Sequence, residues 1–343
     1  MAVMAFALSV QPPVGACTRV VYLGPDDMII TARSMDWAND IHTDLWVFPR
    51  GMKRDGAAGL NAIKWASKYG SVISAGFNVA TADGMNEKGL VANLLYLVES
   101  EYVKPANAGR RQPIAITAWA QYVLDNFASV AEAVAALEQE PFYVLPMTTP
   151  DGKPGTMHLA ISDATGNSAI FEYVGGKLVI HHGRQYQVMC NSPVYDQQLA
   201  LSSYWDQIGG TVMLPGTNRS ADRFARMAFY IKAVKMTSDP VVAVATAFSV
   251  IRNASVPIGI STPDQPNIAS TLWRTVSDHK NRRYYFESTR SPNVFWVELA
   301  DLNFCADAPV MKLKLSDGSI YAGNAADKFL KADAFKFLPA ELK

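Results

Sequence analysis

Neither an excess of charge nor a long apolar run marks this sequence. Its 31 Lys and Arg balance 31 Asp and Glu, so the formal net charge is zero. That balance gives no electrostatic footing for nucleic acid or another polyanion as partner. No stretch approaches the ~18 consecutive apolar residues needed to span a bilayer. The three cysteines, Cys17, Cys190 and Cys305, have the spacing of neither a metal site nor a disulfide framework. The five histidines are scattered apart from the His181-His182 pair. No H-E-x-x-H, Walker or dinucleotide-binding motif is present. These absences count against zinc, nucleotide and Ser-His-Asp chemistry.

What the chain does have is bulk and pattern. Its 343 residues are 49% hydrophobic, enough for a large core. Strand-like runs Val20–Leu23 and Met28–Ala32 flank Gly24-Pro25-Asp26-Asp27, a strong turn signal. Asp44–Pro49 reads as a strand, and Lys64 through Phe77 holds another. Gly84-Met85-Asn86-Glu87-Lys88-Gly89 reads as a turn feeding a buried strand over Leu90–Leu97. Helical spacing of apolar residues predicts helices over Ile114–Phe127 and Val130–Leu137. Strands return at Met157–Ser162, Ala169–Tyr173, Leu178–His182 and Gln187–Cys190. A second helical pair covers Ala221–Val234 and Pro240–Ile251, and three more strands cover Thr271–Ser277, Arg282–Ser288 and Val294–Leu299. Blocks of strands and helices, without regular βαβ alternation, predict an α+β fold of sheets covered by helices. With no repeat or linker in view, one domain over 17–343 is expected.

Cys17 is the first candidate for chemistry. It follows Val14-Gly15-Ala16 and opens a strand-like run. A cut after Ala16 would leave a thiol and a free α-amino group on one residue. Such an amine titrates near pH ~8, so nucleophile and general base would share one carbon. Arg33 and Asp36, in Arg33-Ser34-Met35-Asp36-Trp37, are carried back toward the chain start by the first hairpin. The arginine would steady charge on sulfur. The carboxylate would orient the amine through a charge-assisted bond. Without the cysteine, the two would read as a surface ion pair.

At these residues the chain resembles the choloylglycine hydrolase and penicillin V acylase family. Cys17, Arg33 and Asp36 are followed in order by the block Asp83-Gly84-Met85-Asn86-Glu87-Lys88-Gly89-Leu90. Next comes Asn191-Ser192-Pro193-Val194-Tyr195-Asp196, then Leu214-Pro215-Gly216 with Ser220-Ala221-Asp222-Arg223-Phe224. The resemblance runs from Cys17 to about Asp301. It implies the four-layer αββα sandwich of N-terminal nucleophile hydrolases, linear amides as substrates, and no cofactor. It also implies a role for each residue. Cys17 would attack the amide carbonyl, Asp36 would hold its amine, and Arg33 would stabilise charge near the sulfur. Asn191 would donate to the oxyanion, Tyr96 would supply a second donor through its backbone N–H, and Arg223 would complete the site. Trp37 would line an acyl pocket suited to a flat phenoxyacetyl group or a steroid face. Segment 78–81 would add to its wall.

The substrates implied are phenoxyacetyl penicillin first, then conjugated bile salts, then N-acyl homoserine lactones; a homotetramer is also implied. Residues of simpler reading stand beside these. Asn191 before Pro193 is also ordinary turn chemistry. Arg226 reads as a solvated neighbour of Arg223, Cys190 as a buried inert thiol, and His181-His182 as a strand end. The leader 1–16 ends in small residues, like the latter part of a secretory signal, but has no Lys or Arg at its start. It predicts export to the periplasm with removal before Cys17, or a cytoplasmic, autoprocessed enzyme if it is no signal. Val14-Gly15-Ala16-Cys17 also resembles a lipobox, which would make Cys17 the lipid anchor of a binding protein. Against that reading, a hydrophobic strand begins at once where a polar tether belongs.

Overall fold

The computed structural model describes residues 16–260 and 269–341. Of the expected leader, residues 1–15 lie outside the described residues, and Ala16 lies within them. Two large sheets form the body. The seven-stranded sheet runs Val188–Met189, Thr18–Leu23, Ile29–Trp37, Ser270–Asp278, Arg283–Ser288, Val294–Glu298 and Gly323–Asn324 in spatial order. The nine-stranded sheet runs Lys177–His182, Ser168–Val174, Met157–Ser162, Val91–Tyr96, Ala80–Asn86, Ser71–Gly76, Leu45–Phe48, Met311–Leu313 and Leu330–Lys331.

Helices cover the outer faces. Helix α1 (Ile116–Asn126) packs on Ala80–Asn86 and Val91–Tyr96, and α2 (Val130–Leu137) on Ser168–Val174. On the other side, α3 (Tyr195–Ile208) packs against α4 (Ser220–Ala233), which lies on Thr18–Leu23; α5 (Pro240–Arg252) lies on Ile29–Trp37 and Ser270–Asp278. The α+β class and the αββα layering expected from the resemblance are therefore the observed architecture.

The sheets face each other through polar side chains as well as apolar ones. Arg19 Nη1 donates to Ser168 Oγ at 3.0 Å, Thr31 Oγ1 pairs with Ser162 Oγ at 2.7 Å, and Tyr284 OH pairs with Ser74 Oγ at 2.8 Å. Strand alternation explains the division of labour along Ile29–Trp37, which is buried throughout. Thr31 and Arg33 point between the sheets, whereas Asp36 meets α4 through Arg223.

Several boundaries move. The single strand expected within Lys64–Phe77 is two: Lys64–Ala66 pairs with Lys53–Asp55 in a separate ribbon, and only Ser71–Gly76 enters the large sheet. Gly84 is not in a turn but inside the strand Ala80–Asn86; a Cβ there would stand 2.6 Å from Ile73 Cγ2 and 2.8 Å from the Val72 carbonyl. The turn proper ends at Gly89, at φ 86°. Helix α3 lies where the sequence reading placed only a motif. Its mixed polarity, with Gln197, Gln198 and two serines between apolar residues, hides the 3.6-residue period.

Candidate active site

Cys17 is buried at the entry to its strand, and its nitrogen, still joined to Ala16, is a peptide nitrogen. The hairpin through Gly24-Pro25-Asp26-Asp27 pairs Thr18 with Ser34 and Arg19 with Arg33, so the far strand passes directly beside Cys17. Arg33 Nη2 lies 3.7 Å from Cys17 Sγ and 3.1 Å from the Leu94 carbonyl, and Nη1 reaches the Ala82 carbonyl at 3.4 Å. The guanidinium thus enters the nine-stranded sheet where Ala80–Asn86 and Val91–Tyr96 part beyond the Asp83–Asn93 pair. Trp273 lies over it, 4.7 Å from ring centre to guanidinium carbon.

Asp83 compensates the buried charge of Arg33 at 3.8 Å. Its carboxylate accepts from Asn93 Nδ2 at 2.5 Å and from Tyr284 OH. Burial pushes the Asp83 carboxyl up against the pull of Arg33. Sequence reading placed Asp83 in a motif but gave it no role.

Asp36 sits on the helix side of the same strand end. Its backbone carbonyl accepts from Ala16 N at 3.3 Å and lies 3.9 Å from Cys17 Sγ. Its carboxylate is 3.9 Å from Arg223 Nη1 and accepts from Ser34 Oγ at 3.4 Å. Burial pushes the Asp36 carboxyl up to about 6, against the opposing pull of Arg223. Among the described residues its Oδ1 receives no hydrogen bond, although the Thr271 hydroxyl lies near enough to favour its charge.

Asn191 and Arg223 close the other side. Asn191 Oδ1 accepts from Cys17 N at 2.5 Å and from Arg223 Nη2 at 2.9 Å, while its Nδ2 donates to the Tyr96 carbonyl at 2.6 Å. One amide hydrogen is thereby engaged and one is left. Arg223 Nη1 also donates to the Cys17 carbonyl at 2.6 Å and to Thr18 Oγ1. Asn191 is placed by Ser220 Oγ, which accepts from its N–H at 2.8 Å, and by Gln198, which donates to its carbonyl. Tyr96 faces the site with its backbone. Leu97 N bonds across to Thr156 O, so by alternation Tyr96 N–H and C=O point the other way, toward Asn191.

A cavity opens on Cys17 and Arg33. Trp37, Tyr96, Phe77, Leu94, Met147 and Met157 form much of its wall, and Val79 and Ala80 come from the expected segment 78–81. Trp37 and Tyr96 meet edge to face, ring centres 5.5 Å apart. Sequence reading missed Met157, at the start of its sheet strand, and also Met147 and Thr149, because nothing in the chain says that a hairpin 110 positions beyond Trp37 folds over it. That hairpin is latched. Trp37 Nε1 donates to Asp151 Oδ2 at 2.7 Å, Asn39 Nδ2 donates to the same oxygen at 3.0 Å, and Thr149 Oγ1 donates to Oδ1 at 2.6 Å.

The simpler readings sort differently. Cys190 is buried beside Asn191, and burial pushes its thiol up. Arg226 is not merely solvated: its Nη1 donates to the carbonyls of Pro215 and Thr217, each at 2.8 Å, fastening the Leu214-Pro215-Gly216 loop to α4. His181 ends a strand and bonds Asp196 at 2.8 Å, away from the cavity.

Comparison with known proteins places these features in context. Residues 17–314 match the model of the linear amide C–N hydrolases, choloylglycine hydrolase family. A penicillin V acylase of Pectobacterium atrosepticum is 53% identical over 94% of this chain and 92% of its own. The structure of a penicillin V acylase from Agrobacterium tumefaciens superposes with a TM-score of 0.87 at 56% identity, covering 94% of this chain and all of the other. A mutant conjugated bile acid hydrolase of Clostridium perfringens superposes with a TM-score of 0.76 at 22% identity, over 90% of this chain and 98% of its own. That last likeness speaks for the fold alone.

Proposed function

The chain belongs to the linear amide C–N hydrolases, choloylglycine hydrolase family, and from that premise we propose that it is a penicillin V acylase with Cys17 as nucleophile. The observation that carries the reading is the aromatic, apolar cavity opening on Cys17 Sγ and Arg33. Identity of 53% with a penicillin V acylase over 94% of the chain supports the acyl specificity.

Cleavage of the Ala16–Cys17 bond frees the α-amine. The amine takes the thiol proton as Sγ attacks the substrate carbonyl, and Arg33, 3.7 Å away, favours charge on sulfur. The oxyanion that forms is met by the remaining amide hydrogen of Asn191 and by Tyr96 N–H, which faces the same side. Arg223 holds Asn191 by its oxygen, so the amide cannot flip. Collapse of the intermediate breaks the C–N bond, and the α-ammonium returns its proton to the departing amine. Water then attacks the acyl thioester with the α-amine as base, releasing the acid and the thiol. Asp36, left with an open Oδ1 while Cys17 N is a peptide nitrogen, orients the ammonium once it forms. The scheme requires no group beyond the chain and water.

The reading extends to a homotetramer exported to the periplasm. Its oligomeric part is supported by the exposed apolar side chains Leu201, Tyr204, Ile208, Val212 and Met213 along and beyond α3. Light scattering and cell fractionation test these two points. The activity is tested by incubating enzyme beginning at Cys17 with penicillin V and with glycocholate. Release of phenoxyacetate in preference to cholate supports the acylase; the reverse preference makes it a bile-salt hydrolase, and silence on both rejects the reading.

A further inference from the structure

We propose that Lys153 is the receptor for a carboxylate carried on the amine half of the substrate, and so selects N-acyl amino acids and penicillins over uncharged amides. This inference rests on the acylase reading above.

The ammonium is held in an unusual place. Lys153 Nζ lies over the Trp37 ring, 4.7 Å from its centre. It is shielded from solvent, yet among the described residues it finds no hydrogen-bond acceptor. An ammonium has three donors and no acceptor, and leaving a shielded charged donor unpaired is costly. Burial accordingly lowers the Lys153 pKa, against the pull of Asp151. Asp151 attracts the ammonium without hydrogen-bonding to it; its oxygens accept from Trp37, Asn39 and Thr149.

The backbone fixes this position. The hairpin Met147–Thr148 with Pro154–Gly155 closes through Thr149 N to Lys153 O and Lys153 N to Thr149 Oγ1, both 2.8 Å. Met147 and Thr149 on the same hairpin line the cavity. The cavity wall past the sulfur is apolar, so it offers an anionic substrate group nothing there. Trp37 directly follows Asp36, whose carbonyl lies 3.9 Å from Cys17 Sγ. Trp37 and Cys17 line the same cavity, and the unpaired ammonium rests on that indole. N-acyl amino acids and penicillins carry their carboxylate a few bonds from the scissile nitrogen, so the anion stays close to the cavity that holds the reacting carbonyl.

The test compares penicillin V with its methyl ester, which keeps the scissile amide and removes the charge. Enzyme beginning at Cys17 should prefer the acid in kcat/KM by about tenfold, mainly through KM. Tenfold is ~1.4 kcal/mol, near the low end for a hydrogen bond to a charged group. Lys153→Met should bring the two substrates together, Lys153→Arg should keep the preference, and raised salt should weaken it in the wild type. Equal rates on acid and ester in the wild type, or an unchanged ratio in Lys153→Met, would overturn the inference while leaving the acylase reading standing. If Lys153→Met does not fold, Lys153→Gln and the wild-type ratio decide the matter in the same way. Hydrolysis of neither compound overturns both.

Discussion

Replacing Asn191 separates two jobs that the proposed mechanism gives to the two ends of one amide. The oxygen accepts from Cys17 N at 2.5 Å and from Arg223 at 2.9 Å, and the nitrogen donates to the Tyr96 carbonyl at 2.6 Å with a second hydrogen left for the oxyanion. Asn191→Ala removes both ends. Loss of one oxyanion donor lowers kcat by roughly 10²–10³. The buried Arg223 donor and Tyr96 carbonyl lose a partner each, a stability cost of about 1–3 kcal/mol apiece. Asn191→Asp keeps an acceptor for Arg223 and deletes both donors. It should therefore lose kcat as deeply as the alanine variant while retaining more of the wild-type stability. Steady-state hydrolysis of penicillin V gives kcat and KM, and urea denaturation gives the stability. An Asn191→Asp enzyme within about fivefold of wild-type kcat would refute the donor role. Equal instability of the two variants would refute the account of the Arg223 contact.

Three further outcomes follow from the same geometry. Trp37→Phe keeps the ring against Tyr96 but loses the 2.7 Å bond to Asp151, so KM for penicillin V should rise several-fold with little change in kcat; Trp37→Ala should raise it further. In a chain that retains Ala16, burial holds the Asp36 carboxyl at about 6, above its ordinary value, so the folded state favours the protonated form. That contribution is fully present below pH ~4 and is lost as pH rises through 6. Asp36→Asn should therefore stabilise the uncleaved chain at neutral pH, by up to roughly 3 kcal/mol, and not at pH 4, as read by denaturation at both values. Gly84→Ala would press a methyl to 2.6 Å from Ile73 Cγ2 and 3.0 Å from Leu124 Cδ1, and should cost about 1–3 kcal/mol, visible as a lowered Tm with the active-site residues untouched.

Much of the framework was legible where short-range rules decide. Gly24-Pro25-Asp26-Asp27 between two apolar runs specifies the first hairpin, and that hairpin alone brings Arg33 beside Cys17. Period-2 alternation then explains why Arg33 reaches the sulfur between the sheets while Asp36, three positions on, faces α4. Motif order placed Asn191 and Arg223 near the cysteine, although they are 174 and 206 positions from it. Their contacts depend on α3 and α4 lying side by side, which no local pattern encodes. The cavity was legible at Cys17, Arg33, Trp37, Tyr96 and segment 78–81. Part of the remaining wall, Met147 and Thr149, comes from a hairpin held by Asp151, a residue that looks like any turn aspartate until its indole partner is seen. Asp83 shows the same limit: burial beside Arg33 gives it meaning, and burial on both faces of a strand is a property of the stacked sheets.

The central claim is that Cys17 carries the acyl group during turnover. Enzyme beginning at Cys17 should be mixed with penicillin V, quenched in acid during the first turnovers, digested and analysed by mass spectrometry. The account predicts one phenoxyacetyl group on the N-terminal peptide, removable by thiol exchange, with no turnover and no adduct in Cys17→Ser. An acyl group on another residue, or turnover by Cys17→Ser, would contradict it.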